Sequence, residues 1–297
     1  MKQMLFIMNP CAGMKKANRY YMQLVELFNR SGYRVTAHIT QKRGDAAQVA
    51  EELAGQMDAI VCCGGDGTFN ETLSGVMAAG TDTPIGYIPA GSTNDFAASL
   101  ELPTGIMSCA RNIVEGAPVS YDVGLFNDRY FSYVASFGAF TRASYATAQN
   151  VKNALGHTAY LLSGISEISQ IRKIKARFEL DGETVEDEFL FGAVCNSTSV
   201  AGVLTLDKSV VDMRDGKFEV LLIRAPKNLT EINECLKAIQ NKTYDCTMLT
   251  FRSAANIQVT MEEPVDWTLD GEYQPGLSHI TFKNCHLALK LLTKDKS

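Results

Sequence analysis

The sequence predicts an α/β chain in two parts: a doubly wound parallel sheet first, then an antiparallel β-sandwich. Three observations predict it. Up to about Pro118, short apolar runs of strand length alternate with amphipathic helical stretches. A glycine-rich turn, Gly64-Gly65-Asp66-Gly67, joins one such run directly to a helix. From Lys173 onward, apolar residues recur mostly with period 2 between turn signals.

The elements follow in order. Met4 to Met8 reads as a buried strand, followed by the loop Asn9-Pro10-Cys11-Ala12-Gly13 and a helix to about Arg30 with Tyr21, Leu24, Val25 and Phe28 on one face. Tyr33 to Ile39 is a second strand ending at Thr40, and Gly44 to Ala54 a second helix. Ala59 to Cys63 is a third strand, and the helix after it places Phe69, Leu73, Val76 and Met77 at helical spacing to Ala79. Ile85 to Ile88 is the fourth strand, leading to Pro89-Ala90-Gly91-Ser92-Thr93-Asn94-Asp95. Val119 to Phe126 leads out of the first domain, Tyr130 to Phe140 is another strand, and Thr141 to Gln170 reads as helical. Strands then fall at Ile174 to Leu180, Glu183 to Asn196, Lys217 to Arg224, Met248 to Phe251, Ala255 to Met261, Val265 to Leu269, His279 to Phe282 and Leu287 to Leu292, with a helix at Leu229 to Ile239.

The totals narrow the function. At 297 residues the length suggests about two domains. Twenty-eight Lys and Arg against 33 Asp and Glu give a net charge of -5, which argues against a nucleic-acid partner and against a polybasic membrane anchor. The 8 cysteines show no paired spacing and no run approaches the roughly 20 apolar residues of a spanning helix, so a reducing cytosol is expected. The 4 histidines show no zinc spacing.

The chemistry gathers on loops. In a parallel sheet the carboxyl-end loops share one edge, where ligands bind. Here those loops carry Asn9 to Gly13, Thr40, Gly64 to Thr68 and Pro89 to Asp95, all rich in glycine, amide or hydroxyl groups. Glycines let the backbone approach a ligand, and the helix start supplies N–H groups for phosphate. Asp66 would repel phosphate unless a cation such as Mg²⁺ accompanies it. The plain alternative is a tight turn in which Thr68 or Asp66 caps the helix. Lys15, Lys16 and Arg19 at the first helix start suggest a nearby anion. Asp212 and Asp215 stand three apart before a strand, and Asp270-Gly271-Glu272 is a hairpin signal bearing two carboxylates.

Together these residues resemble the bacterial soluble lipid kinases of the diacylglycerol kinase type, which share a catalytic domain with eukaryotic diacylglycerol, sphingosine and ceramide kinases. The matching pieces are the Asn9-Pro10…Gly13 loop, Gly64-Gly65-Asp66-Gly67-Thr68 with Asn70-Glu71, Pro89 to Ala97, Asp122-Val123-Gly124, Asp215-Gly216 and Leu269-Asp270-Gly271-Glu272. The resemblance implies a Rossmann-like domain of the NAD kinase and phosphofructokinase kind at residues 1–124, rejoined by the segment from about 285 to 297. It implies a β-sandwich substrate and metal domain at 125–284, with the active site in the cleft between the two. ATP would be held by Asn9, Pro10, Cys11, Ala12, Gly13, Thr40, Gly64, Gly65, Asp66, Gly67, Thr68, Phe69, Asn70 and Thr93. Asp212, Asp215 and the Lys217 carbonyl would bind a structural Mg²⁺ in a network reaching Asp66, Asp95 and Asp122. Asp66 would be tied to the catalytic metal, and Asp270 or Glu272 would be the general base. The chain departs from the usual pattern at Leu206-Asp207-Lys208-Ser209, at Arg214-Asp215-Gly216 and in the thinned run Ser199-Val200-Ala201-Gly202.

The expected reaction is ATP-dependent phosphorylation of a lipid hydroxyl with Mg²⁺. The rivals are an NAD kinase, which the Ser92-Thr93-Asn94-Asp95 segment fits poorly, and a nucleotide-binding regulator without catalysis. A lipid substrate implies a cytoplasmic protein that touches the inner membrane face transiently. Ala159 to Leu162 with Ile165, Ile168 and Ile171 are candidates for that surface, the alternative being a buried helix face, and Lys173, Lys175 and Arg177 along one strand would either meet headgroups or form a solvated edge. The candidate assembly is a homodimer.

Overall fold

The computed structural model describes residues 1–139, 172–200, 204–244 and 246–294. The helix expected at 141–170, the apolar positions 159–171 within and beyond it, and Ala201 and Gly202 lie outside the described residues. So do the side chains of Lys15 and Lys16. The chain divides into two compact units, Met1–Val123 with His286–Ser297, and Gly124–Cys285.

The first unit is built on parallel strands β1 (Lys2–Met8), β2 (Tyr33–Ile39), β3 (Ala59–Gly64) and β4 (Ile85–Pro89). Their order is β2-β1-β3-β4, with a late strand, β15 (Glu272–Thr293), joining parallel to β4 at Leu291 and Ile85. β1 therefore pairs β2 on one side and β3 on the other, so the winding reverses between β1 and β3. The interior strands are apolar without alternation, as a sheet covered on both faces requires: all six residues of β3 are buried. The helices are α1 (Tyr21–Arg30), α2 (Asp45–Leu53), α3 (Asp66–Ala78), α4 (Asp95–Ser99) and α5 (Ile106–Glu115). Leu24 and Phe28 of α1 pack with Phe6 of β1 and with Cys109, Ala110 and Ile113 of α5 in one core cluster.

The second unit contains the end of β5 (Ala117–Phe126) and β6 (Arg129–Phe131), β7 (Val134–Gly138), β8 (Ile174–Leu180), β9 (Glu183–Cys195), β10 (Ser199–Val200), β11 (Leu204–Thr205), β12 (Phe218–Arg224), β13 (Leu249–Ala254) and β14 (Asn256–Leu269), and its described residues include the α-helix α6 (Leu229–Gln240). Its pairings are antiparallel. β9 and β14 are long enough to serve two partners in succession: each pairs β8 along one half and β7 along the other, so the four strands close a circuit. Strands that pass between layers this way make the corners of a sandwich. Inside lies an aromatic core of Phe126, Phe131, Phe137, Phe178, Phe189, Phe218, Trp267 and Phe282.

Several expectations are corrected. The first helix is split into a 3-10 segment, Ala12–Tyr20, and α1. Helix α3 begins at Asp66 and not at Phe69, so Asp66, Gly67 and Thr68 form its first turn. Helix α5 is additional to the elements expected from the sequence, with Ile106, Ala110 and Ile113 at helical spacing. The two strands read on either side of Pro264 are one, β14, whose register slips between Thr260 and Val265, because a proline there cannot donate to the ladder. Likewise 279–282 and 287–292 are parts of the single strand β15, broken in pattern where Leu287 takes φ 55°. The row Lys173, Lys175 and Arg177 is not on an edge: β8 lies between β9 and β14. Its cations face carboxylates, with Lys173 at 3.4 Å from Glu188, Lys175 at 3.1 Å from Glu262 and Arg177 at 3.0 Å from Glu179. Among the described residues no helix is long and apolar enough to cross a membrane.

Candidate functional site

In the first unit the loops at the carboxyl ends of the strands are tied to each other by main-chain hydrogen bonds. Asn9 N donates to Cys63 O at 2.9 Å, Thr40 N to Met8 O at 3.0 Å, and Ala90 N to Gly64 O at 2.7 Å. The Asn9 side chain bridges two loops: its Nδ2 donates to Thr68 Oγ1 at 3.0 Å while its Oδ1 accepts from Cys11 N at 2.9 Å. Two glycines make the close approaches. A Cβ on Gly13, which has φ +50°, would stand 1.9 Å from Ala90 O, and one on Gly91 would stand 2.6 Å from the Gly65 Cα. Asn9, Gly13, Gly64, Gly65, Thr68 and Thr40 are thus held at one edge, beside the winding reversal. Pro10, Cys11 and Ala12 lie in the same loop, and Gly67, Phe69 and Asn70 lie on α3. Thr93 is exposed in the loop after β4, where Asn94 Oδ1 accepts from Gly91 N at 2.9 Å and Asn94 Nδ2 donates to Gly91 O at 3.0 Å.

Neither Thr68 nor Asp66 caps α3. Its N-cap is Gly65, no side chain bonds the cap, and its first helical bond runs from Phe69 N to Gly65 O. The amide groups of the first turn face the carboxyl edge without a capping side chain. The Asp66 carboxylate turns instead to its neighbours, accepting from Tyr87 OH at 3.2 Å on Oδ1 and from Asp95 N at 3.0 Å on Oδ2. Asp122, buried at 1% exposure, binds the segment where β15 re-enters this unit: its Oδ1 meets His286 Nδ1 at 2.9 Å and accepts from Leu287 N at 2.8 Å. Glu71 Oε1 accepts from Gly44 N at 2.8 Å, and Asp45 Oδ2 from Gln41 N at 2.7 Å, so carboxylates pin both ends of the loop after β2. The Cys62 and Cys63 thiols are silent. Burial pushes Cys63 up to about 12 and Cys62 higher still, leaving no thiolate at neutral pH.

In the second unit the two carboxylates of the Asp270-Gly271-Glu272 turn have opposite surroundings. Asp270 is 5% exposed. Its Oδ2 accepts from Ser132 N at 2.6 Å and Ser132 Oγ at 2.8 Å, and its Oδ1 from Tyr133 N at 3.0 Å and Val134 N at 3.1 Å. Burial pushes its carboxyl above the usual range, against those four donors. The same segment carries the order onward, because Tyr133 O accepts from Asn196 N at 2.8 Å and from Ser197 Oγ at 3.3 Å. The Glu272 side chain is 30% exposed and lies 3.9 Å from Arg129 Nη2, while Arg129 Nη1 donates to Gln274 Oε1 at 2.5 Å. Arg129 and Tyr87 carry only local signals in the sequence: a cation directly after the Asn127-Asp128 turn, and a tyrosine inside an apolar strand.

Asp212 and Asp215 are exposed and each folds one oxygen onto its own loop, from Arg214 N at 3.0 Å and from Lys217 N at 2.9 Å, with Gly216 at φ +78°. The Lys217 carbonyl accepts from Asn284 Nδ2 at 3.2 Å. Among the described residues no three His, Cys, Asp or Glu side chains gather as a metal-binding group. The donor set of two carboxylates and a carbonyl is all oxygen, the chemistry a hard cation takes. The departure at Leu206-Asp207-Lys208-Ser209 has a local use: Asp207 caps the following 3-10 turn, accepting from Ser209 N at 3.0 Å.

Residues 3–126 match the diacylglycerol kinase catalytic domain family, and residues 134–292 match the family described as the YegS C-terminal NAD kinase beta sandwich-like domain. The chain is 31% identical over 276 residues to a diacylglycerol kinase of Staphylococcus saprophyticus, covering 92% of this chain and 89% of the relative. It is 29% identical over 296 residues to a diacylglycerol kinase of Bacillus subtilis, covering 97% of each. In fold it is similar to the crystal structure of a diacylglycerol kinase from Bacillus anthracis, with a TM-score of 0.75 over 99% of this chain and 97% of that one, at 21% identity.

Proposed function

We propose a reaction on one plain premise: the chain belongs to the diacylglycerol kinase family. It transfers the γ-phosphoryl group of ATP to the hydroxyl of a lipid, diacylglycerol or a close relative, with Mg²⁺ as the accompanying cation. The observation that carries this reading is the junction after β3. There, glycine backbone and an uncapped helix start face the carboxyl edge, beside a carboxylate held off that helix by two donors. Such a helix end accepts phosphate, and phosphoryl transfer asks the protein mainly for positioning and charge stabilisation.

The residues take these roles. Asn9 to Gly13, Thr40, Gly64 to Asn70 and Thr93 hold the nucleotide, the Asn9–Thr68 bond fixing two of those loops together. Mg²⁺, when bound, spreads the negative charge that develops on the transferred group; Asp66 would hold it there, and Asp212, Asp215 and the Lys217 carbonyl would hold a structural ion. Glu272 is the general base. It takes the lipid hydroxyl proton as that oxygen bonds to the γ-phosphorus and the bond to the leaving ADP breaks. Asp270 does not serve as base, since both its oxygens are engaged and it is sealed from solvent; it anchors the turn from which Glu272 projects. Substrate reaches the protein by transient contact with a membrane surface.

The test is phosphate transfer from labelled ATP with Mg²⁺ to a panel of lipids in mixed micelles, with NAD in a parallel reaction. Labelled lipid is the expected product. Labelled NADP, or ATP bound with no lipid labelled, would overturn the reading. In the same assay Asp66→Asn should lose turnover while remaining folded by circular dichroism; full activity in that variant would remove Asp66 from the mechanism.

A further inference from the structure

The aim of Asp66 is set from outside its own helix. As the first residue of α3, its carboxylate sits next to the first-turn N–H groups, which have no acceptor within the helix, and at the positive end of the helix dipole. Left alone, a carboxylate there turns onto those N–H groups, because an anion at a helix start is stabilising. That arrangement would occupy the groups a phosphate needs. The structure shows the other arrangement: no side chain caps α3, and both Asp66 oxygens are engaged elsewhere.

Tyr87 supplies the side-chain donor of the two. It lies in the middle of β4, between β3 and β15, and is 2% exposed. A buried phenol needs a partner for its hydroxyl, and this one donates to Asp66 Oδ1 at 3.2 Å. Its ring is fixed by packing on Phe69, centroids 4.7 Å apart, and Phe69 packs in turn on Phe96 at 4.9 Å. Phe96 follows Asp95, whose N–H holds the second Asp66 oxygen at 3.0 Å. One aromatic stack thus places both donors.

Resting on the proposed ATP reaction, we infer that Tyr87 is a positioning residue: its hydroxyl draws the Asp66 carboxylate away from the start of α3, keeping that helix end open to the nucleotide phosphates. A purely structural tyrosine and a positioning tyrosine respond differently to Tyr87→Phe, which preserves the ring and deletes only the hydroxyl.

The experiment is calorimetric titration of ATP into wild type and Tyr87→Phe, with melting temperatures recorded on the same samples. The expected result is ATP binding weaker by about three- to tenfold, from a carboxylate newly facing the phosphates, with a melting temperature equal to or above that of wild type because α3 gains a cap. In an Asp66→Ala background the Tyr87→Phe change should alter ATP binding by less than about twofold, since the hydroxyl acts through that carboxylate. Wild-type ATP binding unchanged in Tyr87→Phe, or a fall in melting temperature accompanying any loss, would overturn this inference alone. A wild-type chain that binds no ATP would overturn the reaction on which it rests.

Discussion

Asp270 and Glu272 are two residues apart in sequence, and nothing in their spacing says which of them meets water. Asp270 adopts φ 49° and Gly271 φ 82°, a turn that sends one carboxylate inward to three main-chain N–H groups and leaves the other outside. Their substitutions should separate cleanly. Glu272→Gln should lower kcat by about 10²- to 10⁴-fold, the range for removal of a positioned base, with an unchanged urea unfolding midpoint. Asp270→Asn places an amide N–H₂ against buried donors and should cost about 2–4 kcal/mol of stability, read from the same unfolding curve. Activity loss at equal stability in Asp270→Asn would return the base role to Asp270.

Turns and loops decide the local order of both units. The Asp181-Gly182 pair between β8 and β9 is a turn signal by itself, but its tertiary use is not written in that pair. Asp181 Oδ2 accepts from Ala255 N at 2.9 Å and Oδ1 from Asn256 N at 2.9 Å, stapling the β8–β9 hairpin to the start of β14. The Ala255 N–H above all holds this carboxyl below the usual carboxylate range. A depressed carboxyl contributes stability that is present above its unfolded value and is lost as pH falls through its folded value. Asp181→Asn keeps the left-handed turn accessible and should cost about 1 kcal/mol at pH 7. The gap from wild type should close on acidification below about pH 4, measured by denaturant unfolding across pH. At the carboxyl edge of the first unit, Gly91→Ala has no room, its Cβ falling 2.6 Å from the Gly65 Cα. It should separate the two loops and raise the KM for ATP by about tenfold or more, checked by steady-state kinetics.

At the scale of the whole chain, the path leaves the first unit once and returns. β5 carries it out and β15 brings it back, and Asp122 ties the returning segment at His286 and Leu287. The returned strand is part of the first unit's core: Leu289 is 2% exposed, Leu291 0% and Leu292 7%. Leu291→Ala should therefore destabilise by about 2–5 kcal/mol, the range for a truncated core leucine. Hydrogen exchange would show the loss in β3 and β4, residues distant in sequence but adjacent in the sheet. Loss confined to the sandwich strands would contradict the placement of β15 beside β4.

What the sequence determined by itself is whatever follows from local pattern. Apolar runs such as Ala59–Cys63 and period-2 stretches such as Ile174–Leu180 state their own secondary structure, because burial on two faces or on one leaves a different periodicity. The glycine and amide loops announced their edge because parallel strands must deliver their ends together. What only the tertiary structure decided is the setting of each charge. Asp66 is turned from its helix by a tyrosine 21 residues later, Asp270 is buried by donors 136–138 residues earlier, and Asp122 is held by a strand 164–165 residues beyond it. The role of a carboxylate depends on desolvation and on which donors reach it, and both are properties of neighbours that the fold supplies from far along the chain.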